Sequence, residues 1–176
     1  MKDYRVARIS QQAEPVWGKD RSAGEKLVIG RREWIALPQL GVPVLHGKID
    51  TGAYRSSLHA EQIERFQRDG EEWVRFVTHS QDGRAISCES VVAFCKRVKS
   101  STGEARERCF LRTKFRTPGG LEWVVRISLA DRSEMTFPLL IGRRALSRRF
   151  VVDTAQSHLL GSQSDLTGKH WRRKKS

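Results

Sequence analysis

From Leu27 onward the chain breaks into short apolar runs separated by turn residues and almost never sustains a helical pattern. That punctuation is what most restricts its fold. Leu27-Val28-Ile29-Gly30, Glu33-Trp34-Ile35-Ala36-Leu37 and Val42 to Ile49 are runs of strand length. Asp69-Gly70 stands between Ile63-Glu64-Arg65-Phe66 and Trp73-Val74-Arg75-Phe76-Val77, the signature of a tight hairpin. Asp82-Gly83 turns the chain into Ala85-Ile86-Ser87-Cys88. Ser90 to Val98 and Cys109 to Phe115 flank a polar link containing Thr102-Gly103, a longer hairpin. Pro118-Gly119-Gly120 then reverses the chain into Leu121 to Leu129. Helix is expected only at Ser57 to Gln62 and Arg143 to Arg149, one or two turns each. The reading is all-β, a closed or nearly closed barrel with one or two short helices, and no internal repeat longer than a motif.

With 176 residues there is room for one domain with its own core. The expected organisation is a loosely ordered segment over 1–23, holding Pro15 and Gly18, a β-barrel domain over 24–162, and a basic flexible tail over 163–176. Cys88, Cys95 and Cys109 are too few for a disulfide scaffold, form no Cys-x-x-Cys pair, and read as small buried hydrophobes. No apolar run is long enough for a spanning helix, and Met1 to Val6 has no signal-peptide character, so the expectation is a cytoplasmic protein that does not engage membranes.

Lys and Arg number 33 against 20 Asp and Glu, a formal charge of +13. Such a balance attracts acidic proteins or nucleic acid. Lys169, Arg172, Arg173, Lys174 and Lys175 surround Trp171 at the end, and Arg143-Arg144 with Arg148-Arg149 lie inside an ordered-looking stretch. No zinc-finger spacing, aromatic ribonucleoprotein motif or basic-zipper heptad accompanies them, so nucleic acid is the less favoured partner and an acidic peptide or protein the more favoured.

Chemistry concentrates in Val44-Leu45-His46-Gly47-Lys48-Ile49-Asp50-Thr51-Gly52-Ala53. An apolar strand delivers a carboxylate, Asp50, into a turn. Thr51 brings a hydroxyl that can lock the loop, and Gly52 permits a sharp bend with close backbone approach. Alone, Asp-Thr-Gly is also an ordinary strand-ending turn. A second element, Phe137-Pro138-Leu139-Leu140-Ile141-Gly142-Arg143-Arg144, adds an apolar strand reaching Gly-Arg before a short helix. Arg143 can pair with an acidic group nearby.

Gly30-Arg31-Arg32-Glu33-Trp34-Ile35-Ala36-Leu37-Pro38, Lys48-Ile49-Asp50-Thr51-Gly52-Ala53, Ser56-Ser57-Leu58-His59-Ala60, Leu140-Ile141-Gly142-Arg143, Phe150-Val151-Val152-Asp153 and Ser157-His158-Leu159-Leu160-Gly161 stand in one order. Over about residues 27–161 the chain resembles the bacterial retropepsin-like aspartic peptidases long labelled ATP-dependent zinc proteases. The resemblance implies a retropepsin-type barrel with Asp50, Thr51 and Gly52 as the catalytic turn and Ala53, Ile141, Gly142 and Arg143 as its scaffold. It also implies a link to ATP-grasp ligases that add glutamate to proteins. The motifs do not support the label's two cofactors. Gly161 to Lys169 has six residues between its glycines where a phosphate-binding loop has four, and His170 replaces its Ser or Thr. His46, His59, His79, His158 and His170 do not form His-Glu-x-x-His, and His59 reads as a packing or hydrogen-bonding residue. No metal and no cofactor is expected.

Aspartic peptidases need two carboxylates sharing one proton, and one Asp-Thr-Gly supplies one. The expectation is therefore a homodimer in which each chain contributes Asp50, hydrolysing peptide bonds. An intrachain partner, Asp153 of Val151-Val152-Asp153-Thr154-Ala155, is the alternative source, with Ala where Gly would ease the turn. The alternative function is a catalytically silent module binding glutamate-rich tails through Arg143, Arg144 and the basic end. Tyr54-Arg55, bulkier than the small residues viral enzymes place after the turn, bears on substrate access.

Overall fold

Strands whose apolar residues recur at alternate positions can bury one face each, and here the faces are rolled around a common interior. A computed structural model describes residues 5–7, 26–99 and 105–167. In order, the elements are β1 (Arg5–Ala7), β2 (Leu27–Gly30), β3 (Arg32–Leu37), a 3-10 turn (Pro38–Leu40), β4 (Val42–Asp50), β5 (Ser56–His59), β6 (Glu61–Arg68), β7 (Glu71–His79), β8 (Ala85–Val91), β9 (Phe94–Lys99), β10 (Ala105–Arg116), β11 (Glu122–Ala130), β12 (Leu139–Gly142), α1 (Arg143–Leu146), β13 (Phe150–Asp153) and α2 (Gln163–Thr167).

Six strands close into a barrel in the order β11-β5-β12-β4-β3-β10, with β10 pairing back onto β11 and β9 extending the sheet outside the ring. Leu111, Thr113 and Phe115 face Ile127, Val125 and Trp123 across β10 and β11, and all six are buried. Ile35, Leu45, Leu58, Leu139 and Ile141 fill the barrel from the other strands. A second sheet, β1-β8-β7-β6, lies beside the barrel, and β13 pairs with β2 as a separate parallel ribbon.

The Asp69-Gly70 hairpin forms as β6 and β7, with both turn residues at positive φ, 52° and 75°. The helix expected over Ser57 to Gln62 does not form. Ser56 to Ala60 are all buried, and β5 is claimed on one side by β11 and on the other by β12, so its backbone groups are spent on sheet pairing. The expected helix at Arg143 to Arg149 is one turn, ending at Leu146 before Arg148 takes a positive φ of 69°. Trp123 Nε1 donates to Ala145 O at 3.1 Å, fastening that turn to the barrel wall.

Within 1–23, Arg5–Ala7 pairs in parallel with β8. The stretch 163–167, expected to begin the flexible tail, is the short helix α2. Its Leu166 is buried against Ala36, Val44 and Trp34, an apolar anchor ahead of the basic run. The cluster from Lys169 to Lys175 and the Thr102-Gly103 link lie outside the described residues.

Candidate active site

Asp50 is the last residue of β4, half-buried where the strand leaves the barrel. Its Oδ1 accepts the backbone N–H groups of Gly52 and Ala53, each at 3.0 Å, so the carboxylate is held by the turn that follows it. A Cβ on Gly52 would stand 3.2 Å from that same oxygen, which is why the bend accepts glycine there. Thr51 and Gly52 are exposed and Ala53 is half-buried.

The late motif runs beside this turn. β12 runs parallel to β4 with Ile141 opposite Ile49 and Gly142 opposite Asp50. Ile141 is fully buried and its Cδ1 lies 2.9 Å from where a Gly47 Cβ would sit. Gly142 packs on the chain beyond the turn, where a Cβ would meet the carbonyl carbon and oxygen of Arg55 at 2.5 Å. Gly142 N donates to Ser56 Oγ at 3.2 Å. Next, Arg143 N donates to Ala53 O at 2.9 Å and Arg144 N to Tyr54 O at 3.2 Å. The Arg143 guanidinium returns to Gly52 O at 2.8 Å, and Arg144 reaches the Tyr54 hydroxyl at 2.6 Å. Arg143 thus braces the turn through a carbonyl, and among the described residues no acidic partner is found for it.

Arg132 is the neighbour that the motifs do not announce. Burial and the adjacent Arg108 pull its guanidinium below the usual arginine range, while the charge of Asp50 acts in the opposite sense. It sits in the link between β11 and β12, with Nε donating to Phe137 O at 3.3 Å and its backbone N–H donating to His59 Nδ1 at 3.0 Å. Tyr54 is 49% exposed beside the turn, with the guanidinium carbons of Arg143, Arg144 and Arg55 at 5.3, 5.7 and 5.6 Å from its ring centre. The surroundings of Asp50 are strongly cationic.

His59, Glu61 and His79 bring potential metal-ligand atoms within 4.8 Å of one another. The hydrogen bonding of His59 does not fit zinc in this arrangement. Because the Arg132 N–H donates to Nδ1, the ring proton lies on Nε2, which sits 3.0 Å from Glu61 Oε1. A ligating Nε2 would require the opposite tautomer, with an Nδ1 proton pointed at the Arg132 N–H. His59 is a hydrogen-bonding residue that ties the start of the Arg132 link to β5.

Two further groups position the chain around the site. Glu33 is fully buried; its Oε1 accepts Gly30 N at 2.7 Å and Leu159 N at 3.0 Å, and its Oε2 accepts Leu160 N at 3.2 Å. His46 and His158 meet Nε2 to Nε2 at 3.0 Å, both stacked on Trp34. Burial first, then the charges of His158 and Arg32, push the His46 imidazole below the ordinary histidine value. Asp153, the alternative intrachain partner, ends β13 of the separate ribbon, and its Oδ1 accepts Ala155 N at 2.8 Å.

A closed six-strand barrel with an Asp-Thr-Gly turn held by a parallel Leu-Leu-Ile-Gly strand defines a retropepsin-like domain. Residues 28–162 match the family described as RimB-like, retropepsin-like aspartic endopeptidase RimB, and the chain belongs to that family. It is 41% identical over 144 residues to a Shewanella pealeana protein named probable alpha-L-glutamate ligase, a match covering 80% of this chain and 31% of that protein. A Desulfotalea psychrophila protein of the same name is 37% identical over 142 residues, covering 79% and 30%. The chain therefore spans about a third of the length of these curated relatives. The crystal structure of Lpg0085, a Legionella pneumophila protein of unknown function, has the same fold, with a TM-score of 0.66 at 24% identity over 77% of this chain and 99% of that one. Among the described residues, no helix is long and apolar enough to cross a membrane.

Proposed function

We propose that this chain is an aspartic endopeptidase of the cytoplasm whose reaction centre is completed by a second copy, each copy contributing Asp50. The observation that carries the reading is the bracing of the Asp50 turn: Oδ1 is engaged by Gly52 and Ala53, and β12 with Arg143 fixes the loop from outside. Such a turn holds a carboxylate in one orientation before substrate arrives, which is what positioned acid–base chemistry requires. Thr51, exposed beside Asp50, is available to brace the corresponding loop of the partner copy. In the paired site one carboxylate is ionised and the other protonated. The ionised group takes a proton from water as the water oxygen bonds to the peptide carbonyl carbon, and the protonated group gives its proton to the developing oxyanion. The tetrahedral intermediate then collapses: the leaving nitrogen takes the proton that the first carboxyl group received from water, the C–N bond breaks, and a hydroxyl proton returns to the second carboxylate.

The cations around Asp50, namely Arg132 and Arg143, favour an acidic peptide as substrate. The relatives named probable alpha-L-glutamate ligase point the same way, toward protein tails carrying added glutamate. The same cations support a second reading, a non-hydrolytic module that holds such tails. Full-length protein incubated with a glutamate-rich peptide separates the two. Cleavage that disappears in Asp50→Asn supports the peptidase. Retained binding with no cleavage by either protein supports the module, and equal cleavage by both removes Asp50 from the chemistry.

A further inference from the structure

Two of the three cysteines are direct partners across β9 and β10. Cys95 stands opposite Cys109, both thiols are free, and their Sγ atoms are 2.8 Å apart. Directly opposed cross-strand residues hold their Cβ atoms at a separation that overlaps the range a disulfide spans. Cys88 belongs to the other sheet, buried in β8 with its thiol directed at Leu40 O, 3.3 Å away.

The two thiols are unequal. Cys109 is buried, and that burial, followed by its hydrogen bond with Cys95, pushes its thiol up to about 12. Cys95 is only partly buried. Arg65 lies within electrostatic reach of both sulfurs, held by Glu72 at 2.6 Å and Glu107 at 2.9 Å, and its charge opposes the rise at Cys109. Glu72, also near the pair, acts in the opposite sense on Cys109.

One position along the ladder, Phe94 stacks on Phe110 at 4.6 Å, and the Arg55 guanidinium lies 4.9 Å from each ring centre. Arg55 is also the residue whose carbonyl Gly142 packs against. The cysteine pair therefore sits at the foot of the platform that supports the chain leaving the Asp50 turn.

We propose that Cys95 and Cys109 form a thiol–disulfide exchange site that accepts a small-molecule disulfide of the glutathione class and closes β9 to β10 with a covalent bond. The Cys95 thiolate attacks one sulfur of the oxidised disulfide, forming a mixed disulfide and releasing one thiolate. Cys109 then loses its proton to solvent and attacks the Cys95 sulfur, expelling the second thiolate, and the two released thiolates take up the two protons that the cysteines gave up. The chain loses two protons and two electrons, and the small disulfide takes them up to become two thiols. The crosslink restrains the platform under Arg55. It is independent of whether Asp50 acts in hydrolysis.

The test equilibrates the full-length protein with glutathione disulfide and glutathione over a range of ratios, followed by acid quench, alkylation, peptide mass spectrometry and a melting curve. The expected product is an intrachain Cys95–Cys109 link with Cys88 alkylated, and a Tm raised by about 5–10 °C that reverts with dithiothreitol. Cys88→Ser should behave the same way, and Cys109→Ser should stop at a glutathione adduct on Cys95 with no rise in Tm. The proposal is overturned if both thiols remain alkylatable under excess glutathione disulfide, if the link joins Cys88 or another chain, or if the linked protein melts unchanged. Because the wild-type readout stands alone, the test remains decisive even where a variant fails to fold.

Discussion

Two turns in this molecule are built to one plan. Leu139-Leu140-Ile141-Gly142-Arg143-Arg144 runs parallel to the strand ending in Asp50-Thr51-Gly52, with Gly142 opposite Asp50 and Arg143 N bonded to Ala53 O at 2.9 Å. Leu27-Val28-Ile29-Gly30-Arg31-Arg32 runs parallel to the strand ending in Asp153-Thr154-Ala155, with Gly30 opposite Asp153 and Arg31 N bonded to Gln156 O at 2.9 Å. In both, the glycine is demanded by backbone: a Cβ on Gly30 would stand 2.8 Å from Gln156 O, and one on Gly142 2.5 Å from Arg55 O. The differences lie in what surrounds the carboxylate. Asp50 takes two turn N–H groups, leaves the wall of the closed barrel and has Arg132 close by. Asp153 takes the Ala155 N–H, has Ala where Gly52 stands, and ends a two-stranded ribbon. One backbone device serves twice, in two different settings.

The largest expected effect separates the two acids. Asp50→Asn should lower peptide cleavage by about 10³-fold or more, while Asp153→Asn should keep it within about twofold, measured as kcat/KM on one peptide. Comparable losses in both would restore the intrachain pair. The two glycines come next. Gly142→Ala and Gly30→Ala should each cost about 2–3 kcal/mol in denaturant melts, since backbone must move in both. Only Gly142→Ala should also reduce activity per folded molecule, and equal activity losses would erase the distinction between the turns.

Glu33→Gln sharpens the structural side. The carboxylate accepts N–H groups from both sides of the Gly30 turn, and an amide offers a donor where an acceptor is needed, so about 2 kcal/mol of stability should go with little change in kcat. The smallest effect is that of His46. Its folded value lies below the ordinary 6.5, so the unfolded chain takes the proton first as pH falls. Stability should be full above that value and decline below it, and His46→Gln should flatten the decline in a series of thermal melts. An unchanged slope would mean that the His46, His158, Trp34 and Arg32 cluster is not the source.

The barrel and the acidic turn were legible because their signals are local. Turn residues mark the hairpins, and an apolar strand ending in Asp-Thr-Gly has few structural uses. The Leu-Ile-Gly strand could be matched to it because retropepsin-like chains keep the two in order. β5 misled because Ser56 to Ala60 carry no alternation, both faces being buried while β11 and β12 flank the strand in the sheet, a tertiary fact. Arg132 was invisible for a related reason. Only the parallel pairing of β12 with β4, and the bond from Arg132 N to His59, bring that link toward Asp50. The Cys95–Cys109 pair likewise depends on the register of β9 against β10, which spacing alone does not reveal.

The claim that each site is assembled from two chains is tested most directly by mixing. A fixed amount of wild type is titrated with Asp50→Asn under conditions where subunits exchange, and peptide cleavage is followed. If both Asp50 carboxylates belong to one centre, mixed pairs are dead and activity falls to about half at equal amounts, continuing down with excess variant. Activity that stays constant across the titration would mean that each chain works alone, and the shared centre would be refuted.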